Sequence, residues 1–116
     1  MNSFYESIRK IKKRPSMYLG KPSICNLRSY LAGYIFARRE LGIAPTEEEQ
    51  TFVKFQDWIQ KKFNVSSSQS WDKIILFYSE DEHTALEQFF NLFEEFVRVS
   101  HPSDSLERVN LQASPK

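Results

Sequence analysis

Large apolar side chains recur along this chain at steps of three and four residues, the period of an α-helix. Phe4, Ile8 and Ile11 form the first stripe, with Arg9, Lys10, Lys12 and Lys13 on the other faces. Ser3 followed by Glu6 is a capping box at its start. Pro15 ends it, because the residue before a proline is pushed out of the helical region. Ser23 caps a second helix with Ile24, Leu27, Leu31, Tyr34 and Ile35 on one face and Tyr30 and Leu41 at its flanks. Gly42 is its stop signal. Gly33, inside that helix, costs about 1 kcal/mol against alanine, so a close helix crossing is expected there.

Thr46 and Glu49 form a capping box for a third helix. It carries Phe52, Phe55, Ile59 and Phe63 inward, with Val53 and Trp58 beside them. The stretch from Trp71 to Tyr78 has strand propensity, but Trp71, Ile74, Ile75 and Tyr78 share a helical spacing. It reads as a short helix capped by Ser70. Ser79 and Glu82 box the start of the last helix, whose broad stripe comprises Ala85, Leu86, Phe89, Phe90, Leu92, Phe93, Phe96 and Val97. Arg14–Gly20 reads as an ordered loop turned by Pro15 and Gly20. The pattern lapses into proline and serine near the end, so residues 100–116 are expected to be a flexible tail. The prediction is an all-α fold: one compact domain over residues 1–99, of about five helices, orthogonal or bundle-like.

Composition excludes several classes. Ten Phe, five Tyr and two Trp supply a core that a disordered chain lacks. No apolar run approaches the roughly 20 residues of a membrane span. The N-terminal Asn-Ser-Phe-Tyr-Glu leads into a Lys/Arg cluster where a signal peptide would be apolar, so a cytoplasmic location without membrane association is expected. The single Cys25 excludes an internal disulfide and a cysteine-rich zinc site. Three Gly and two His argue against phosphate loops and histidine metal sites, and no cofactor or metal is expected.

The net charge of +1 conceals two poles. Residues 1–40 hold nine Lys/Arg against two acids, a net +7; residues 41–97 hold four against eleven, a net −7. Such poles either pair inside the fold or steer charged partners. The acids available to a basic partner are Glu47, Glu48, Asp57, Asp72, Glu80, Asp81, Glu82 and Glu87. The alternative is a nucleic-acid-binding or regulatory module using Arg9, Lys10, Lys12, Lys13 and Arg14. No nucleic-acid-binding signature accompanies them, which disfavours that partner.

Catalytic constellations are sparse. Cys25 lies in the first turn of a helix, which can depress a thiol pKa, but a small buried residue is the simpler reading. Glu47–Glu49 and Glu80–Glu82 suit the positive ends of helix dipoles better than a cation site. An enzyme would need an ordered cleft that gathers His83, Cys25 and an acid. The serine-rich Ser66–Ser70 beside Trp71 has the composition of a recognition loop, though a core position for Trp71 is the plainer reading.

Arg14-Pro15-Ser16-Met17-Tyr18-Leu19-Gly20 resembles the Arg-Pro-Gly-Met-Tyr-Ile-Gly stretch of DNA gyrase B-type ATPases over about seven residues. Those ATPases also need a Glu and an Asn on the next helix and an Asp-x-Gly-x-Gly loop. Here Asn26 stands only at that helix's start, Glu40 only at its end, and Gly-x-Gly is absent. The motif therefore reads as one that docks Tyr18 and Leu19 onto the core and positions Arg14.

Together with Leu27-Arg-Ser-Tyr-Leu-Ala-Gly-Tyr34 and Ser67-Ser-Gln-Ser-Trp-Asp-Lys-Ile-Ile-Leu-Phe77, that loop is similar to a family of small bacterial immunity proteins. The family belongs to toxin–immunity loci, contact-dependent growth inhibition among them, and the likeness spans about residues 3–98. It implies a non-enzymatic protein without catalytic residues, whose partner is a cognate protein toxin, often a nuclease and hence basic.

Overall fold

The computed structural model describes residues 3–100. Helix α1 (Phe4–Lys13) begins as its sequence dictates. The Glu6 N–H donates to Ser3 Oγ at 3.1 Å, and the Ser3 N–H donates to Glu6 Oε1 at 3.0 Å. Its narrow stripe buries Phe4, Tyr5, Ile8 and Ile11. Helix α3 (Ile24–Glu40) is capped by Ser23, whose Oγ accepts the Asn26 N–H. At its far end the Ile43 N–H reaches the Arg38 carbonyl and the Gly42 N–H the Arg39 carbonyl, with Gly42 at φ +77°. This is a Schellman closure, and the left-handed residue it requires is one glycine adopts without strain.

Two expected elements differ. Arg14–Gly20 is not a loop: Pro15–Leu19 is a short helix, α2, with Pro15 in its first turn, where the missing N–H costs nothing. It packs beside α1 and seats Tyr18 and Leu19 against the core, while Met17 stays exposed. The third helix is two: α4 (Glu47–Phe52) and α5 (Phe55–Lys62), broken at Val53–Lys54. Thr51 and Val53, both β-branched, weaken the helix there. The halves share one aromatic core, since Phe52 and Phe55 stack at 5.0 Å and both meet Trp71 and Phe96. Phe52 also reaches Phe4 edge-on at 5.2 Å, whereas Phe55 also meets Phe89. Val53 at the break points outward.

Helix α6 (Trp71–Phe77) resolves the helix-or-strand ambiguity as helix. Ser70 holds the N-cap position and its carbonyl accepts the Ile74 N–H, but its hydroxyl makes no capping bond: it donates to Asp72 Oδ1, and the Trp71 N–H donates to Gln56 Oε1 of α5 at 2.7 Å. Helix α7 (Glu82–Ser100) is capped by Asp81, whose Oδ1 accepts the Thr84 N–H at 2.7 Å. Ser79, the expected cap, instead donates its hydroxyl to the Ile75 carbonyl at 2.7 Å. Among the described residues there is no strand, and the architecture is a compact all-α domain. α7 is its spine, burying Ala85, Leu86, Phe89, Phe90, Leu92, Phe93 and Phe96 against α3, α6 and α1. Ser100, where the expected tail begins, still belongs to α7, and the rest of that tail lies outside the described residues.

Gly33 corrects another expectation. No helix crosses there: a Cβ at that position would meet nothing within 4 Å. Gly33→Ala is therefore expected to stabilise the fold, by up to about 1 kcal/mol, because the helix loses a flexible residue and gains no clash. Urea unfolding of the two proteins, with equal slopes, is the measurement.

Candidate functional site

The two charge poles partly neutralise each other across the fold. Arg9 of α1 makes a two-pronged bond to Glu94 of α7, Nε to Oε2 at 2.8 Å and Nη2 to Oε1 at 3.0 Å. Arg38 of α3 meets the buried Glu49 of α4 at 2.7 Å. Arg28 reaches Asp72 at 3.3 Å, and Lys21 reaches Glu82 at 3.9 Å. Each pair joins a cation from the basic N-terminal region to an acid from the acidic region.

This arrangement sorts the eight candidate acids. Asp72 is only 3% exposed and is held by Arg28 and Ser70, so it anchors α6 and does not present a charge to a partner. Glu48 accepts the Tyr5 N–H at 2.8 Å, capping α1 from a different helix. Glu82 is engaged with Lys21, and Glu87 lies 3.9 Å from His83 one turn away. Asp81 caps α7, and the Thr84 N–H that it accepts holds its carboxyl below the usual range. Glu47, Asp57 and Glu80 are exposed, with no cation within 4.0 Å among the described residues.

The serine-rich segment is tied to α5. Gln56 Nε2 donates to the Gln69 carbonyl at 2.8 Å and Gln60 Nε2 to the Ser67 carbonyl at 2.6 Å. Trp71 is core: it stacks on Phe89 at 5.1 Å and is 8% exposed. What the segment leads to is more exposed than its spacing implied. Tyr78, expected inward, is 54% exposed and stacks on Phe63 at 5.1 Å, while Phe77 is 76% exposed and meets Tyr78 edge-on. Two aromatic rings thus flank the turn that carries Glu80 and Asp81. Phe77 was legible as a site residue only through its position off the Trp71–Ile74–Ile75–Tyr78 stripe. Phe36, Leu41, Ile43 and Val53 are exposed apolar residues as well.

Cys25 is partly buried. Burial, with Asp72 and Glu82 nearby, pushes its thiol pKa up, the reverse of what a helix N-terminus alone would do. The cleft that holds His83 and Glu87 is lined also by Lys12, Pro15, Pro22 and Asn91 and does not reach Cys25. Among the described residues, no three His, Cys, Asp or Glu side chains gather as a metal-holding group, and no helix is long and apolar enough to cross a membrane. Of the motif residues, Arg14 and Gly20 are exposed, Pro15 is half-buried, and Tyr18 packs edge-on to Tyr30. Comparison with known families, with curated proteins and with solved structures finds no match.

The Arg9–Glu94 bond holds the Glu94 carboxyl below its ordinary pKa. A depressed folded pKa contributes stability above the unfolded value of about 4.3 and loses it as pH falls through the folded value. Both side chains are about two-fifths to one-third exposed, which limits the effect. Glu94→Gln should cost roughly 0.5–1 kcal/mol at pH 7. The gap between the two proteins should close as pH drops below about 4, read as the difference in denaturation midpoint across a pH series.

Proposed function

We propose that this chain is a cytoplasmic immunity protein that binds a basic protein toxin and neutralises it by direct contact. The observation that carries the reading is the exposure of Phe77 and Tyr78 beside Glu80 and Asp81. Aromatic rings left on the surface of a well-packed domain are the residues that anchor interfaces, and an acidic rim speeds encounter with a basic partner. A nuclease toxin presents such a basic surface, since its cleft must accept phosphates. The acids that remain unpaired give this reading a charge to use.

A second reading rests on a different observation. Lys10, Lys12, Lys13 and Arg14 are all exposed, and none has a carboxylate within 4.0 Å among the described residues. Four free cations at the α1–α2 corner would suit nucleic-acid phosphates. That reading requires retardation of DNA or RNA in a gel at low salt that weakens steeply as salt rises; the immunity reading expects none.

Affinity capture of the tagged chain from its host at moderate salt is the first test. The expected result is one stoichiometric protein that is toxic when expressed alone and harmless with this chain. Phe77→Ala with Tyr78→Ala should then weaken that complex by at least about 2 kcal/mol, some thirtyfold, in calorimetry. Thermal stability should stay close to wild type, because both rings are mostly exposed. Glu80→Lys, which leaves the Asp81 cap of α7 in place, should lower the on-rate and its salt dependence. A toxin complex indifferent to all three substitutions would remove this surface from the interface.

A further inference from the structure

We infer that the cleft between α2 and α7 is a binding site for a small zwitterion with an apolar side chain, an aromatic or branched α-amino acid in chemical class. The cleft, which is open to solvent on one side, offers about 390 Å³, within the range of small-molecule pockets. Its buried surface is apolar: Leu86 and Phe90 of α7 are 4% and 6% exposed. Pro15 and Pro22, from the two ends of the Arg14–Pro22 segment, form the facing wall. The exposed lining is polar and of both signs, with Lys12 from α1 and His83, Glu87 and Asn91 from α7, His83 standing 3.9 Å from the Glu87 carboxylate. A ligand that matches this lining places a hydrocarbon on Leu86 and Phe90, a carboxylate toward Lys12 and an ammonium toward Glu87. A purely anionic ligand would meet Glu87 unfavourably, and a purely cationic one would meet Lys12.

The wall is preformed. Gly20 at φ +75° reverses the chain after α2, a conformation that side chains rarely adopt. Asn26 Nδ2 donates to the carbonyls of Leu19 and Lys21, both at 3.2 Å, and so clamps the segment that carries Pro22. The Lys21–Glu82 pair ties the same segment to the start of α7. Two prolines fix their own backbone torsions within it. A wall held this way loses little conformational entropy when a ligand enters. The inference also accounts for the most distinctive motif of the chain, which the proposed toxin surface leaves unused: that surface lies on the α6–α7 turn, whereas Pro15, Gly20 and Pro22 shape this cleft.

The test is a titration of the ¹⁵N-labelled full chain with L-phenylalanine, followed by amide shifts in heteronuclear NMR. Saturable shifts at His83, Phe90 and Asn91 are expected. N-acetyl-L-phenylalanine lacks the ammonium and phenethylamine lacks the carboxylate, so each should bind at least about fivefold more weakly, the factor that roughly 1 kcal/mol of lost ionic contact gives. Lys12→Ala should weaken L-phenylalanine similarly and leave phenethylamine unchanged; Lys12 is exposed, so the variant should fold, as its spectrum would verify. Asn26→Ala, which frees the wall, should also weaken binding. Absence of saturable shifts up to about 20 mM, a concentration near the weak limit of specific recognition, would overturn the inference. So would equal binding of all three probes, or affinity unchanged by Lys12→Ala.

Discussion

The fold depends on one aromatic cluster. Phe55 is fully buried and touches Phe52, Trp58, Trp71, Phe89 and Phe96, with ring centres between 5.0 and 5.9 Å. Those rings come from α4, α5, α6 and α7, so a single side chain joins four helices. Phe52 carries the contact onward to Phe4 of α1, and Phe93 carries it to Tyr5. Edge-on and stacked pairs of this kind contribute about 0.5–1.5 kcal/mol each beyond the area they bury. Short helices of five to eight residues would not persist alone in water. They persist here because each delivers rings to a shared core.

Around that core, polar groups act between helices more than within them. Glu48 caps α1 from α4, and Gln56 caps α6 from α5. Burial pushes the Tyr5 phenol up to about 12, with Glu48 adding to the effect. The ion pairs draw on both charge poles and leave Lys10, Lys12 and Lys13 exposed at the α1–α2 corner, and Glu47, Asp57 and Glu80 exposed on α4, α5 and the α6–α7 turn. The charge left over at the α1–α2 corner and at the α6–α7 turn is of opposite sign. The uncovered aromatic rings of Phe77 and Tyr78 lie beside that turn.

Much of the helical content was legible because helix signals are local. The Ser3, Ser23 and Thr46 caps, the Gly42 stop and the stripes of α1, α3 and α7 all depend on residues within a turn or two of each other. The failures share a cause. Ser70 and Ser79 resemble caps in sequence, yet the hydroxyls bond elsewhere, because Gln56 and Asp81 satisfy the free N–H groups first. The break at Val53–Lys54 and the open space at Gly33 depend on what packs beside each helix. Charge alone likewise could not separate Asp72, sealed under Arg28, from Glu80, open to solvent.

The sequence by itself determined that this chain is helical, that α1, α3, α6 and α7 start and stop roughly where they do, and that its charge divides into two poles. Periodicity, capping chemistry and composition are properties of neighbouring residues, and no distant contact is needed to establish them. Only the tertiary structure decided which acids are consumed by ion pairs, which rings face water, and that Pro15, Pro22, Leu86 and Phe90 meet around one cleft. Those outcomes depend on side chains far apart in the chain competing for the same space and the same hydrogen-bond partners, and that competition has no local signature.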